Sequence, residues 1–205
     1  MAEVKRVNKV KTRTPGFWST WKTVILEPVQ FFEKLPPKTS YREPSLFYLK
    51  TQALLLFICL LILGQILISD ISSTQSAIVT IIGGIAGVMI FIGFIIFYPL
   101  ALLLSWGFLF INAALLHLFV ILFGGEEGYK ETVNVTAYSA APTLLSLIPF
   151  VGLAAIIYSI ILQVIGIQKR QKLSLGKSIA VVVIPFLIFL LPVIIIISYE
   201  LMYMN

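Results

Sequence analysis

Of 205 residues, 59% are hydrophobic and 12% charged, against roughly 45–50% apolar and about 25% charged in a soluble domain. Long uncharged runs recur along the chain, which excludes an ordinary soluble domain and predicts an all-α integral membrane protein. The net charge of +6 comes from 15 Lys and Arg confined to segments that flank the apolar runs. That distribution suits topology determinants and attraction to anionic headgroups, not nucleic-acid binding.

Residues 1–15 carry Lys5, Arg6, Lys9, Lys11 and Arg13 against a single Glu3 and read as a solvated basic tail. The first 45 residues hold no apolar signal-peptide core, so the first span is expected to serve as the insertion signal. In 16–35, Trp18, Trp21, Ile25, Val29, Phe32 and Leu35 recur at three- and four-residue steps, making one helical face apolar. This pattern predicts an amphipathic helix in the membrane interface, with Trp18, Trp21, Phe32 and Lys22 as its lipid contacts. The alternative is that the same face packs on the protein's own cytosolic loops. Pro28 has no N–H to give the helix and predicts a kink or split there. A Pro-rich loop completes a cytosolic segment, 1–45, ahead of a transmembrane helical domain, 46–200.

Leu46 to Ser69 is long enough for a transmembrane helix, with Lys50 near its start able to snorkel. Its lone Cys59 leaves no intramolecular disulfide to form. Ala77 to Phe123 is 47 residues without a formal charge. A straight helix of that length would measure about 70 Å against a hydrocarbon core of about 30 Å. The run must bend, double back or lie partly along the surface, and Tyr98–Pro99 is the expected break. Gly83, Gly84 and Gly87 form a surface of small residues that could dock a neighbouring helix. Leu153 to Gln168 and Ile179 to Tyr199 are further spans, the last expected to kink at Pro185 and Pro192.

Ten Lys and Arg fall at or before Lys50 and four more in 169–177, so both segments should face the cytoplasm. The loop 70–76 has Asp70 and no basic residue, and should face outward. An odd number of crossings follows, and five suits the length. In one five-span arrangement 77–98 and 99–123 cross separately and 135–168 is a bent helix, with Gly124–Glu131 outside. In the other, which we favour, 77–123 crosses once and 132–149 and 151–168 form a hairpin turning at Pro149–Gly152. All basic residues are then cytoplasmic, and 77–97 becomes an interfacial or re-entrant part.

The window Gly124 to Gly152 concentrates glycines, charges, a Tyr and two prolines. Gly124–Gly125 suits a helix C-terminal turn. Glu126, Glu127, Lys130 and Glu131 read as a solvated linker, and Tyr138 and Pro142 fall four residues apart in a helix. Here, and in EPVQFFEKLP, LLHLFVILFGG, AYSAAP and IPFVG leading to IIYSIILQVIGIQKRQKLSLGKSIAV, the chain resembles the Yip1-domain family of multi-pass membrane proteins. The resemblance covers nearly all of 25–190. It implies five spans, a cytosolic N-terminus and a short C-terminus across the membrane. Eukaryotic relatives act in vesicle traffic and contact small prenylated GTPases. Without their long acidic or Pro-rich cytosolic N-terminal region, this chain looks more like prokaryotic members, which implies the cell membrane.

Little in the sequence points to chemistry. One His leaves no His-pair metal site, and there is no P-loop, Rossmann glycine pattern or Cys/His cluster. No catalytic residue, metal or cofactor is expected, and the chain is not expected to be an enzyme. His117 is read as a neutral imidazole bonded to a neighbouring helix. Asn112, with Ser105 seven residues before it, and Gln163 are read as polar contacts between helices. Tyr138, Pro142, Pro149 and Gly152 are candidate hinge or intramembrane polar positions. The expected function is a membrane scaffold or adaptor that engages the lipid bilayer and a protein partner or further copies of itself. The alternative is a small channel or permease with a pathway lined by Asn112, His117, Tyr138 and Gln163.

Overall fold

The computed structural model describes residues 16–36, 40–72 and 77–203, which leaves the basic tail 1–15 and residues 73–76 outside the described part. All regular structure among the described residues is helical: α1 (Phe17–Leu26), α2 (Pro28–Lys34), α3 (Arg42–Ser72), α4 (Ala77–Leu122), α5 (Tyr129–Ser139), a 3₁₀ helix (Ala141–Leu147), α6 (Val151–Arg170) and α7 (Leu175–Tyr203).

The breaks follow from local chemistry. α1 stops at Glu27 and α2 opens on Pro28, because proline cannot donate to the preceding turn but is well suited to the first helical position. The expected split at Pro28 is therefore present. α4 ends as the paired glycines suggest. Gly124 has φ +83°, and its N–H reaches the Ile121 carbonyl while the Gly125 N–H reaches that of Val120. These two bonds define a Schellman turn. A Cβ on Gly125 would lie 2.3 Å from Val120 Cγ1, so this close approach requires a glycine. The chain reverses again between the 3₁₀ helix and α6, where Phe150 has φ 66° and Gly152 sits against the Ser146 carbonyl.

Two expectations are corrected. α4 runs unbroken through Pro99 for 46 residues. One missing N–H removes only one rung of the ladder, which a long membrane helix tolerates, and the Tyr98 hydroxyl ties this region to α3 by donating to the Ala53 carbonyl at 2.9 Å. The arrangement with separate crossings at 77–98 and 99–123 therefore does not form. Residues 132–149 are not a span-length helix either. α5 has 11 residues, about 16 Å of helix, and continues as the 3₁₀ turn before α6 doubles back. The turn at Pro149–Gly152 falls where the favoured arrangement put it.

Among the described residues three helical stretches are long and apolar enough to cross a membrane: Arg42–Ile66, Phe91–Leu122 and Val151–Arg170. α7 adds a shorter apolar stretch, Leu175–Ile188. Leu, Ile and Phe side chains such as Leu61, Leu104, Ile111, Leu153 and Ile195 stand exposed along these helices. Such an apolar exterior is stable in lipid and not in water. Among the described residues Gly84 and Gly87 meet no neighbouring atom that a Cβ would touch, so no described helix docks on the glycine surface of α4 there. The packed core lies at the end of the bundle where α1, α2, α5 and the C-terminus of α6 converge. Val24, Phe32, Val120, Val135, Leu162, Ile167 and Val181 are all fully buried there.

Candidate functional site

α5 is the least apolar of the long segments, yet every residue from Glu131 to Ser139 is buried. A buried polar group is costly unless it finds a partner, and most of the polar groups on this helix are bonded. Glu131 Oε2 accepts from Arg170 Nη2 at 2.6 Å and Nε at 2.8 Å, and from Asn134 Nδ2 at 3.2 Å. The same guanidinium donates through Nη1 to the Leu35 carbonyl at 2.7 Å. Arg170 thus joins α5 to the last turn of α2, where a cation also complements the helix dipole. Lys169, one residue earlier, pairs with Glu33 at 2.7 Å on the surface.

A second network lies on the other side of α5. Thr132 Oγ1 accepts from Gln171 Nε2 at 3.0 Å and shares a hydrogen bond with His117 Nδ1 at 2.9 Å. Gln171 is fully buried, and its Oε1 accepts the Glu127 N–H at 3.1 Å. The Lys172 ammonium lies 3.1 Å from Glu127 and 3.3 Å from Glu126. Hydrogen bonds that the ammonium donates to these carboxylates, Glu127 first, raise the pKa of Lys172 above the ordinary lysine value. The α4–α5 and α6–α7 turns are therefore held together at one end of the bundle.

Aromatic packing fixes the N-terminal arm to that end. Tyr138 sits between Phe31 and Phe47, with ring centroids 4.9 and 5.1 Å away. Trp21 Nε1 donates to the Ala141 carbonyl at 2.8 Å, and the Tyr158 hydroxyl donates to the Ile25 carbonyl at 2.5 Å. Gly166 lets α6 approach closely, since a Cβ there would lie 2.6 Å from Val135 Cγ1 and 3.1 Å from Phe32 Cε1.

The sequence-predicted residues divide accordingly. Phe32, expected at the lipid interface, has no exposed surface. It is a core residue, because the apolar face of α2 packs on α6. Trp21 is half-buried against the 3₁₀ helix, whereas Trp18 and Lys22 remain exposed. Of the face read from the spacing, most turns inward onto the protein, as the alternative reading held. Pro142 is buried at the start of the 3₁₀ helix, and Pro149 and Gly152 form the hairpin turn. Asn112 and Gln163 are brought together on one cavity, but His117 and Tyr138 lie elsewhere. Sequence reasoning missed Glu131, Thr132, Arg170 and Gln171. Glu131 resembles a solvated linker and Arg170 a topology determinant, and only the run of polar residues Glu131–Asn134 in so apolar a chain hinted otherwise.

Long apolar helices facing outward, with polar groups inside and at one end, define a polytopic helical membrane protein. The family model for the Yip1 domain matches residues 22–197, most of the chain, and the chain belongs to that family. No curated protein and no solved structure matches it.

Proposed function

We propose that this protein is a non-enzymatic membrane scaffold that presents a rigid polar platform on the cytoplasmic side for a protein partner. The observation that supports this reading is the convergence of three polar segments around α5. The N-terminal arm, the α4–α5 turn and the α6–α7 turn are joined through Glu131–Arg170 and Thr132–Gln171. Exposed Trp18, Lys22, Lys34, Arg42 and Lys177 lie on these segments or on the adjoining helix starts. Concentration of basic residues at one end of the bundle supports a cytoplasmic location for that end. The test is purification of the tagged full chain from its native membrane in mild detergent, followed by mass spectrometry. A second protein at fixed stoichiometry, lost on reversing the charge of Lys22 and Lys34, is the expected result. A particle containing this chain alone would overturn the adaptor reading.

The second reading, a small channel or permease, is favoured by one observation: Asn112 and Gln163 line a common cavity. Solute flux in proteoliposomes that Gln163→Leu abolishes would support it.

A further inference from the structure

Beside α5, and distinct from both hydrogen-bonded networks, lies a cavity of about 180 Å³ bounded by α3, α4, α5, the 3₁₀ helix and α6. Its polar lining includes Tyr48, Gln52, Asn112, Ser139, Ser159 and Gln163, and no charged side chain lines it. Ser139 is 1% exposed, and neither its Oγ nor that of Ser159 has a hydrogen-bond partner among the described residues. Asn112 and Gln163 are half-buried on the same space and make no protein hydrogen bond among the described residues. Four unused donor–acceptor groups around one space point to an occupant that bonds them.

The lining also limits what that occupant is. Amides and hydroxyls both donate and accept, so they match neutral hydroxyl and carbonyl groups, whereas an ion would find no countercharge. α4 and α6 each pack on α5 but make no extensive contact with one another, and Phe108, Asn112, Ser159 and Gln163 on facing parts of these helices are exposed or half-buried. The cavity therefore opens sideways, between two lipid-facing helices. Gln163 lies seven residues before Arg170, about 10 Å along the helix. That depth is just below the charged end of the bundle, near the ester region of a bilayer leaflet.

We propose that this cavity binds the uncharged glycerol–ester part of a lipid, with the acyl chains leaving between α4 and α6. The same hydroxyl and carbonyl chemistry is offered by a free polyol, and the experiment separates the two. The full chain is placed in phosphatidylcholine nanodiscs carrying a photoactivatable diacylglycerol, and crosslinked residues are mapped with and without excess glycerol. Crosslinks concentrated on α4 and α6 beside Asn112 and Gln163 are expected, undiminished by glycerol. In Gln163→Leu and Ser159→Ala they should fall roughly tenfold, as loss of one or two neutral hydrogen bonds implies. Loss of the crosslinks with glycerol keeps the site and assigns it to a free polyol. Crosslinks spread evenly over the exposed faces of α3, α4, α6 and α7 would overturn the proposal. Because that mapping uses the unmodified chain, it decides the matter even if a variant fails to fold.

Discussion

Arg170, the last residue of α6, meets Glu131, near the start of α5, through two hydrogen bonds of 2.6 and 2.8 Å, with both side chains nine-tenths buried. A pair so enclosed contributes little net stability over an apolar substitute, but removing one member leaves an uncompensated charge. Arg170→Met is expected to destabilise the fold by about 3–5 kcal/mol. The double variant Arg170→Met, Glu131→Gln should recover part of that loss. Thermal unfolding of the full chain in detergent reads both. A single variant as stable as the parent would mean that the pair does not hold α2 to α5.

Phe32 and Trp18 separate protein packing from lipid contact on the N-terminal arm. Phe32 has no exposed surface and Trp18 is 62% exposed. Phe32→Ala should cost about 3–5 kcal/mol, the usual range for emptying a buried aromatic site. It should also free α1 and α2 for tryptic cleavage at Lys22 and Lys34. Trp18→Ala should leave melting and cleavage almost unchanged while weakening the attachment of a 16–35 peptide to vesicles. Equal effects of the two substitutions on melting would contradict the packing described for α2.

Gly166 controls how near α6 comes to α5 and α2. A Cβ there meets Val135 Cγ1 at 2.6 Å, a distance that neighbouring side chains must move to relieve. Gly166→Leu is therefore expected to destabilise by about 1–3 kcal/mol or more. Gly84→Leu, with no atom near its Cβ position, should have little effect on the melting temperature. Leu is the better helix former, so similar losses at both sites would show that the close approach at Gly166 is not what distinguishes these positions.

The ion pairs of Lys172 with Glu126 and Glu127 require the α4–α5 and α6–α7 turns to share one side of the membrane. Single cysteines at Glu126, Lys172 and Trp18, in a Cys59→Ser background, should all be protected from an impermeant thiol reagent added outside cells. All three should react after permeabilisation. Labelling of Glu126→Cys from outside, with Lys172→Cys protected, would be incompatible with the bundle.

Much of the architecture was legible in the sequence because burial in lipid imposes a one-dimensional rule. Uncharged runs of span length, the break at Pro28, the glycine pair at 124–125 and the turn at Pro149–Gly152 each depend on local composition or backbone geometry. Pro99 misled for a related reason. Its cost to a helix depends on the packing around it, and the Tyr98–Ala53 hydrogen bond that ties this part of α4 to α3 exists only in the folded chain. Phe32 misled similarly, since spacing reveals an apolar face but not whether lipid or protein covers it.

By itself the sequence determined that this chain is a helical membrane protein of the Yip1-domain family with its basic residues gathered in a few flanking segments. Hydropathy, charge placement and motif order are properties of the chain read residue by residue. The tertiary structure alone decided that the polar α5 is enclosed, that Arg170 caps α2 while pairing with Glu131, and that Asn112 and Gln163 share a cavity. Each of these depends on groups far apart in the sequence, and a polar residue's role is set by the partner that replaces water when it is buried.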